Sequence, residues 1–331
     1  MGKHRSAKKK RIKYSILALA IVFFVAVAFL ILNFWDKNQG RFPWQSEEEK
    51  TIVYNGEEYV FSKNVSTFLV LGLDKYEGDS DVDSYNNDNQ ADFLMLLVYD
   101  NDNKQCTALH INRDTMADVN ILAVNGNKSD TLKKQIALAH TYGNGKGVSC
   151  RNTADSVSML LQDVKIDHYL SLKLDAVPVV NDRAGGVTVE VLDDFTGIDY
   201  DLVVGNTVTL TGDQALTYVR TRYGLEDNTN SGRMERQKQY LDSLYSKFKE
   251  CAANDNEFIV KASMDVSDYL VSDCSITQLQ NLADKFLSYE FTGIQSLKGE
   301  SVPGERFMEF YPDEDELTKT VVELFCQLKN N

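Results

Sequence analysis

Unbroken apolar runs and alternating stretches lay out the chain's elements before any single residue is considered. Residues 14–35 carry no charged side chain and are long enough to cross a bilayer, which takes roughly 20 residues of helix. Residues 51–61 (TIVYNGEEYVF) alternate apolar and polar positions about Asn55-Gly56, a hairpin signal. Residues 68–73 (FLVLGL) and 93–98 (FLMLLV) are short continuous apolar runs, as strands buried on both faces require. Residues 107–111 make a third strand that runs into Asn112-Arg113-Asp114. Helical spacing predicts helices near residues 132–140, 155–161, 176–181, 214–219 and 234–249. In the last of these, Tyr240, Leu244 and Phe248 share one face. Strands are expected at 187–191, after Gly185-Gly186, and at 207–210; helix, strand and helix follow at 276–286, 291–297 and 315–328. Strands alternating with helices predict a layered α/β domain.

Charge then orients the chain. Lys3, Arg5, Lys8, Lys9, Lys10, Arg11 and Lys13 precede the apolar run, and the positive-inside rule puts them in the cytoplasm. The run exceeds a signal-peptide core and no small-residue cleavage site follows, so a retained anchor is expected. The expected organisation is a basic tail (1–13), a transmembrane helix (14–35), an extracellular linker and hairpin (36–64), and a domain over 65–331. That domain divides into a core at 65–250 and later helices and strand at 251–331. The formal net charge of -14 argues against general nucleic-acid binding, which needs a basic footprint. The five cysteines form no CxxC pair, which argues against zinc.

Against that acidic background, residues 218–237 (YVRTRYGLEDNTNSGRMERQ) concentrate Arg220, Arg222, Arg233, Arg236 and Gln237. Guanidinium presents a rigid donor fork that matches phosphate oxygens two at a time. Arg220 and Arg222 share a face if the chain is extended there; Arg233 and Gln237 share one at a helix start. Surface ion pairing to Glu226, Asp227 and Glu235 is the plainer alternative. Asp74 ends one apolar strand and Asp92 opens another, so the two carboxylates could meet at a sheet edge and hold a hard cation; capping or turn roles are equally open. Arg113 follows a buried strand, where α/β ligand sites gather, and Asp114 could orient it. No Walker A loop, GxSxG elbow or HExxH motif is present, the four histidines show no ligand spacing, and the acidic loop 77–88 lacks EF-hand spacing.

Together the segments FLVLGLD (68–74), ADFLMLL (91–97), HINRDT (110–115), DRAGGV (182–187), LTGDQALTYVRTR (210–222) and SGRMERQ (231–237), in this order behind one anchor, resemble the LytR-CpsA-Psr family of cell-envelope proteins. The resemblance implies a three-layer α/β/α sandwich with a mixed central sheet, preceded by one N-terminal transmembrane helix. It implies a membrane-bound phosphotransferase that moves a glycopolymer from undecaprenyl diphosphate to the 6-hydroxyl of N-acetylmuramic acid in peptidoglycan. Asp74 and Asp92 would hold magnesium; Arg113, Arg220, Arg222, Arg233, Arg236 and Gln237 would grip the diphosphate. Asn230 stands where the family pattern often has an aspartate, and Asp227 is the nearest carboxylate, so Asp227 joins Arg113, Arg220 and Arg222 as an expected catalytic residue. The alternatives are a polyprenyl-phosphate binder with little catalysis, and a transcriptional attenuator, which the short cytoplasmic tail disfavours. In cells, alkaline phosphatase fused after residue 331 should be active, as an external carboxyl terminus requires; an inactive fusion with an active cytoplasmic reporter in its place would reverse this topology.

Overall fold

The computed structural model describes residues 50–74, 87 and 89–329. The expected tail, membrane span and linker as far as residue 49, and nearly all of the acidic loop 77–88, lie outside them. Among the described residues no helix is long and apolar enough to cross a membrane.

The Asn55-Gly56 turn joins β1 (Thr51–Tyr54) to β2 (Glu57–Phe61). Both turn residues have positive φ, 52° and 84°, the geometry that lets a two-residue turn follow the twist of its strands. The three apolar runs lie within β3 (Val65–Leu73), β4 (Ala91–Asp100) and β5 (Gln105–Ile111). Next come β6 (Met116–Leu122) and β7 (Lys128–Gln135), an antiparallel pair. The helix expected near 132–140 is thus replaced by a strand to Gln135 and a short 3-10 turn over Ile136–Thr141. Pairing with β6 overrode a helical spacing that few apolar residues supported.

The chain continues through α1 (Gly147–Leu160), β8 (His168–Lys173), α2 (Ala176–Arg183), β9 (Val187–Glu190), β10 (Thr207–Leu210), α3 (Gly212–Arg220) and α4 (Asn230–Asn254). After these come α5 (Phe258–Asp265), β11 (Leu270–Ser272), α6 (Ile276–Ser288) and β12 (Glu290–Ser296). A hairpin of β13 (Gly299–Pro303) and β14 (Met308–Pro312) precedes α7 (Glu314–Phe325). The helix expected to reach residue 328 stops at Phe325, because Cys326–Leu328 (β15) pairs with β2 instead.

The central sheet has the order β11-β8-β3-β4-β5-β12. β3 runs parallel to β8 and β5 to β12, whereas the other contacts are antiparallel, so the sheet is mixed. Side chains alternate between its faces. Leu69, Leu71, Leu94, Leu96 and Leu109 pack with Ala154 and Val157 of α1 and Val321 and Phe325 of α7. On the other face, Phe68, Tyr99 and Cys106 meet Leu279, Leu282 and Phe286 of α6, and Met95 and Ala108 meet Leu241 of α4. Helices therefore cover both faces, which is why β3 and β4 read as unbroken apolar runs. Truncating Leu71 to alanine at such a site costs about 3 kcal/mol.

α4 serves two cores. Leu241 faces the sheet, while Tyr240, Leu244 and Phe248 join Val187, Val189 and Leu210 of β9 and β10 and Ala215 and Tyr218 of α3. The three residues spaced four apart do share one face. Through this bridge, the first turn of α4 and the last of α3 come to the end of β3 that carries Asp74. All five cysteines are unpaired, with Cys106 and Cys150 buried.

Two histidines are sealed inside. Burial, then the Arg233 cation, pushes His110 down to about 3. Burial pushes His140 down to about 4, although its Nδ1 donates to the Asn89 carbonyl at 2.8 Å. Both are neutral when folded and titrate near pH 6.5 when unfolded, so below that pH the unfolded chain binds more protons. Stability from these groups should be intact above pH 6.5 and fall by about 1.4 kcal/mol per pH unit per histidine towards pH 4. Urea unfolding across that range measures the slope, and His140→Asn, which keeps a donor for Asn89, should lessen it by one histidine's share; an unchanged slope would exclude His140 from the effect.

Candidate active site

A β-bulge prepares the site. Gly72 opposes Phe93 and Leu73 opposes Ala91, which leaves Asp92 as the extra residue of β4. A bulge re-aims a side chain at the end of a ladder, and Asp92 thereby comes to the same sheet end as Asp74, directly after β3. On the other side of β4, Asn112 accepts the Asp114 amide at 2.9 Å and closes a turn that presents Arg113. Arg113 pairs tightly with Asp92, donates to Gln90, and has its Nε 3.5 Å from Asp114. Arg233, from the first turn of α4, reaches the same Asp92 oxygen at 3.9 Å.

Arg220 ends α3 and donates to Asp74 at 2.7 Å. It is helical, not extended, so the shared face expected for Arg220 and Arg222 arises differently: Thr221 turns the chain out of the helix and both arginines line one cleft. Arg222 donates to the Tyr223 hydroxyl and lies 4.6 Å from the centre of its ring.

The cleft has a volume of about 1890 Å³. Its described lining sets Arg113, Arg220, Arg222, Arg233 and Arg306 against Asp74, Asp92 and Asp114. Five cations facing three anions, in a chain of net charge -14, make a local reversal of sign. Burial pushes Arg113 down to about 10, with Arg233 and Arg222 adding to the shift and Asp114 opposing it. Arg233 is likewise pushed down to about 10 by burial and then by Arg222. The Nε of each is buried without a hydrogen-bond partner, and such orphans are rare in native cores. An anion in the cleft would relieve this crowding of positive charge.

The start of α4 adds to the attraction. Thr229 caps it by accepting the Gly232 amide at 3.1 Å, and Asn228, Thr229, Asn230 and Ser231 all line the cleft. A helix N-terminus favours negative charge. Gly232 is needed for space, because a Cβ there would collide with the Asp227 carboxylate.

Two expected ligands take another role. Arg236 and Gln237 do not line the cleft. Arg236 is fully buried; it donates to the Tyr218 carbonyl at 3.1 Å and to the Thr221 carbonyl, and pairs with Asp193. Gln237 donates to the Val219 carbonyl at 3.0 Å. Both grip the backbone that carries Arg220 and Arg222. Asp227 also lies outside the lining; hydrogen bonds from Thr229 hold its carboxyl below the usual range, and it orders the loop before α4. Asn230 occupies the cleft, accepting from Arg233 at 2.6 Å and donating to Asn112 at 2.7 Å. The sequence reading missed Gln90, Gln135 and Arg306 as cleft residues. Only the charge of Arg306 could have drawn notice, and nothing local ties residue 306 to residue 113.

Asp92 is held through Oδ1 and Asp74 through Oδ2. Among the described residues no hydrogen bond takes the other oxygen of either. Each carboxylate therefore keeps one oxygen of the hard kind that a cation such as magnesium shares with phosphate oxygens. Elsewhere, the fold brings His168 within 3.5 Å of Asp273, next to Cys274, a grouping that sequence spacing did not reveal. Asp273 is already held there by Arg151 and by the Tyr169 amide.

The sequence profile of the LytR_cpsA_psr family matches residues 40–324. The chain belongs to that family. Within the LytR_cpsA_psr family it is 26% identical over 328 residues to the polyisoprenyl-teichoic acid–peptidoglycan teichoic acid transferase TagU of Enterococcus faecalis, spanning 97% of this chain and 99% of that one. The crystal structure of B. subtilis TagV shares its fold at a TM-score of 0.60 and 24% identity, covering 79% of this chain and 97% of that one. TagT bound to LIIa-WTA gives 0.59 at 23% identity, covering 79% and 90%. These likenesses extend the mixed α/β fold to solved LytR_cpsA_psr structures.

Removing one guanidinium that pairs with no carboxylate among the described residues should weaken anion binding by about 1.5 kcal/mol, roughly tenfold. Arg222→Ala is therefore expected to raise the Kd for inorganic pyrophosphate about tenfold in isothermal titration calorimetry, and binding should weaken with salt. Equal affinity in the variant would remove Arg222 from the anion site.

Proposed function

We propose that the chain transfers a glycopolymer from a polyprenyl-diphosphate carrier to peptidoglycan, as a membrane-anchored phosphotransferase of cell-wall assembly. The carrying observation is the convergence of Arg113, Arg220, Arg222 and Arg233 on one cleft beside Asp74, Asp92 and Asp114. The name of the E. faecalis relative, a teichoic acid–peptidoglycan transferase of similar length, supports the same reading. Residues 14–35 would hold the domain at the membrane where such a lipid resides.

In the proposed reaction, the 6-hydroxyl oxygen of N-acetylmuramic acid attacks the phosphorus attached to the glycan. A new P–O bond forms, the bridging P–O bond breaks, and its electron pair leaves with undecaprenyl phosphate. The products are a glycan–peptidoglycan phosphodiester and the lipid monophosphate. Phosphoryl transfer depends chiefly on positioning and on neutralising charge at the equatorial and leaving oxygens. Arg113 and Arg233, fixed by Asp92, would hold the reacting phosphate, while Arg220 and Arg222 approach from the end of α3. Asp74 and Asp92 would hold Mg2+, which supplies Lewis-acid neutralisation of diphosphate charge when bound. The hydroxyl proton needs a carboxylate. Burial raises Asp114 above the usual range despite three nearby guanidiniums, so it is the cleft carboxylate best suited to accept that proton.

The test uses the full chain in detergent with an undecaprenyl-diphosphate glycan, peptidoglycan fragments and Mg2+. Glycan-bearing peptidoglycan and lipid monophosphate should appear in equal amounts. Arg113→Ala should lower kcat/KM at least a hundredfold, corresponding to about 3 kcal/mol of lost transition-state stabilisation. Undiminished transfer by Arg113→Ala would remove the proposed site, and tight lipid binding without transfer by the wild type would favour a carrier-binding role.

A further inference from the structure

The edge of the central sheet formed by β8 and β11 carries a cluster of metal-ligating side chains away from the cleft. β3 and β8 run parallel, with Leu73 opposite Lys173 and Phe68 opposite His168. His168 therefore opens β8 at the sheet end remote from Asp74, roughly 16 Å along the strand from Lys173. β11 is an edge strand of three residues beside β8. It leads through Asp273 and Cys274 into Ser275, the N-cap of α6. An imidazole, a carboxylate and a thiol are thus gathered with their ligand atoms within 4.8 Å of one another. Among the described residues no other three His, Cys, Asp or Glu side chains come together in this way.

The spacing of the three groups suits an ion between them. Nδ1 of His168 is buried and has no hydrogen-bond partner, although Asp273 Oδ1 stands 3.5 Å away. The Cys274 thiol is 3.9 Å from the same oxygen. Both gaps are too wide for strong hydrogen bonds. They are close to the edges of a tetrahedral zinc site, where bonds of about 2.0–2.3 Å separate ligand atoms by roughly 3.3–3.7 Å. The carboxylate is already oriented from behind. Arg151 donates to Asp273 Oδ2 at 2.6 Å, and the Tyr169 amide donates to Oδ1 at 3.0 Å. Oδ1 keeps a second lone pair, and outer contacts of this kind fix a ligating carboxylate in place. The His168 side chain is 37% exposed, so water can reach the fourth position.

We propose that His168, Asp273 and Cys274 bind one zinc ion, with water as the fourth ligand, and that the ion ties the β11–α6 segment to β8. Imidazole together with thiolate selects a borderline metal, whereas magnesium takes a shell of oxygens. The site lies at the opposite sheet end from the cleft, so it stands independently of the transferase reading. Its role is structural. It would fasten an edge strand held by three residue pairs, and with it the start of the helix that covers Phe68 and Tyr99. The lack of a CxxC pair does not exclude such a site, because its ligands come from two distant segments.

The test uses the full chain in detergent, stripped with a chelator and titrated with Zn2+ against a zinc-binding dye in excess Mg2+. The wild type should bind one equivalent of zinc that Cys274→Ser and His168→Ala each bind at least tenfold more weakly, since losing a ligand costs no less than losing an outer contact. Co2+ in place of zinc should give the wild type a thiolate-to-cobalt absorption band, which Cys274→Ser should lack. Zinc should raise the melting temperature of the wild type and leave that of both variants unchanged. Melting of the metal-free variants checks that they fold, and substitutions on two separate segments keep the result independent of either one alone. Equal zinc affinity in the wild type and both variants, or a wild-type cobalt spectrum without the thiolate band, would overturn the assignment.

Discussion

The buried guanidinium of Arg236 is the interaction on which the site depends. It lies inside the core between α3 and α4, paired with Asp193 and donating to the carbonyls of Tyr218 and Thr221. A buried ion pair gains little net stability over apolar packing, but losing one partner costs about 3–5 kcal/mol, because the other charge is left uncompensated. With Gln237 on the Val219 carbonyl, this clamp fixes the path of the chain from the end of α3 into the following loop. That path decides where Arg220 and Arg222 point. Two residues of one helix thus hold the backbone, while Arg233, one turn earlier, reaches into the cleft.

A second constraint comes from the sheet. The bulge that leaves Asp92 unpaired brings its carboxylate to Arg113 and Arg233, in the cleft that Asp74 also lines. Asp92 gathers cations that would otherwise repel each other at close range, yet it neutralises only part of their charge. Asn112 and Asn230 join the loop after β5 to the start of α4. Each arginine is therefore positioned by a different part of the chain: the turn after β5, α3, the loop after α3, and α4.

Much of this was legible in the sequence, and the parts that were not share a physical cause. Unbroken apolar runs revealed β3 and β4 because those strands are buried on both faces, and Tyr240, Leu244 and Phe248 revealed α4 because a long helix leaves a clear period. β7 was misread as helix, since Lys128–Gln135 is a polar strand whose structure depends on β6 and not on its own composition. The dense arginines of 218–237 pointed to an anion site, but charge alone could not separate Arg233, which faces the cleft, from Arg236, which faces backbone carbonyls. Three residues along a helix separate a ligand-facing position from a structural one, and only the packing of α3 tells which is which. Arg306 was invisible for a different reason: its place in the cleft depends on Phe310 docking against Asp114 and Thr115, a contact between distant parts of the chain.

The reversal of sign in the cleft acts over distances longer than any contact. The body of the protein is strongly acidic, so its outer field repels polyanions from most directions at low ionic strength. Among the described residues the arginine-lined opening is a place that attracts them, within a Debye length of roughly 10 Å at 0.1 M salt. An anionic partner is therefore turned during its approach and arrives at the opening already aligned. The negative exterior, which has no part in chemistry, serves as a guide that makes unproductive encounters brief.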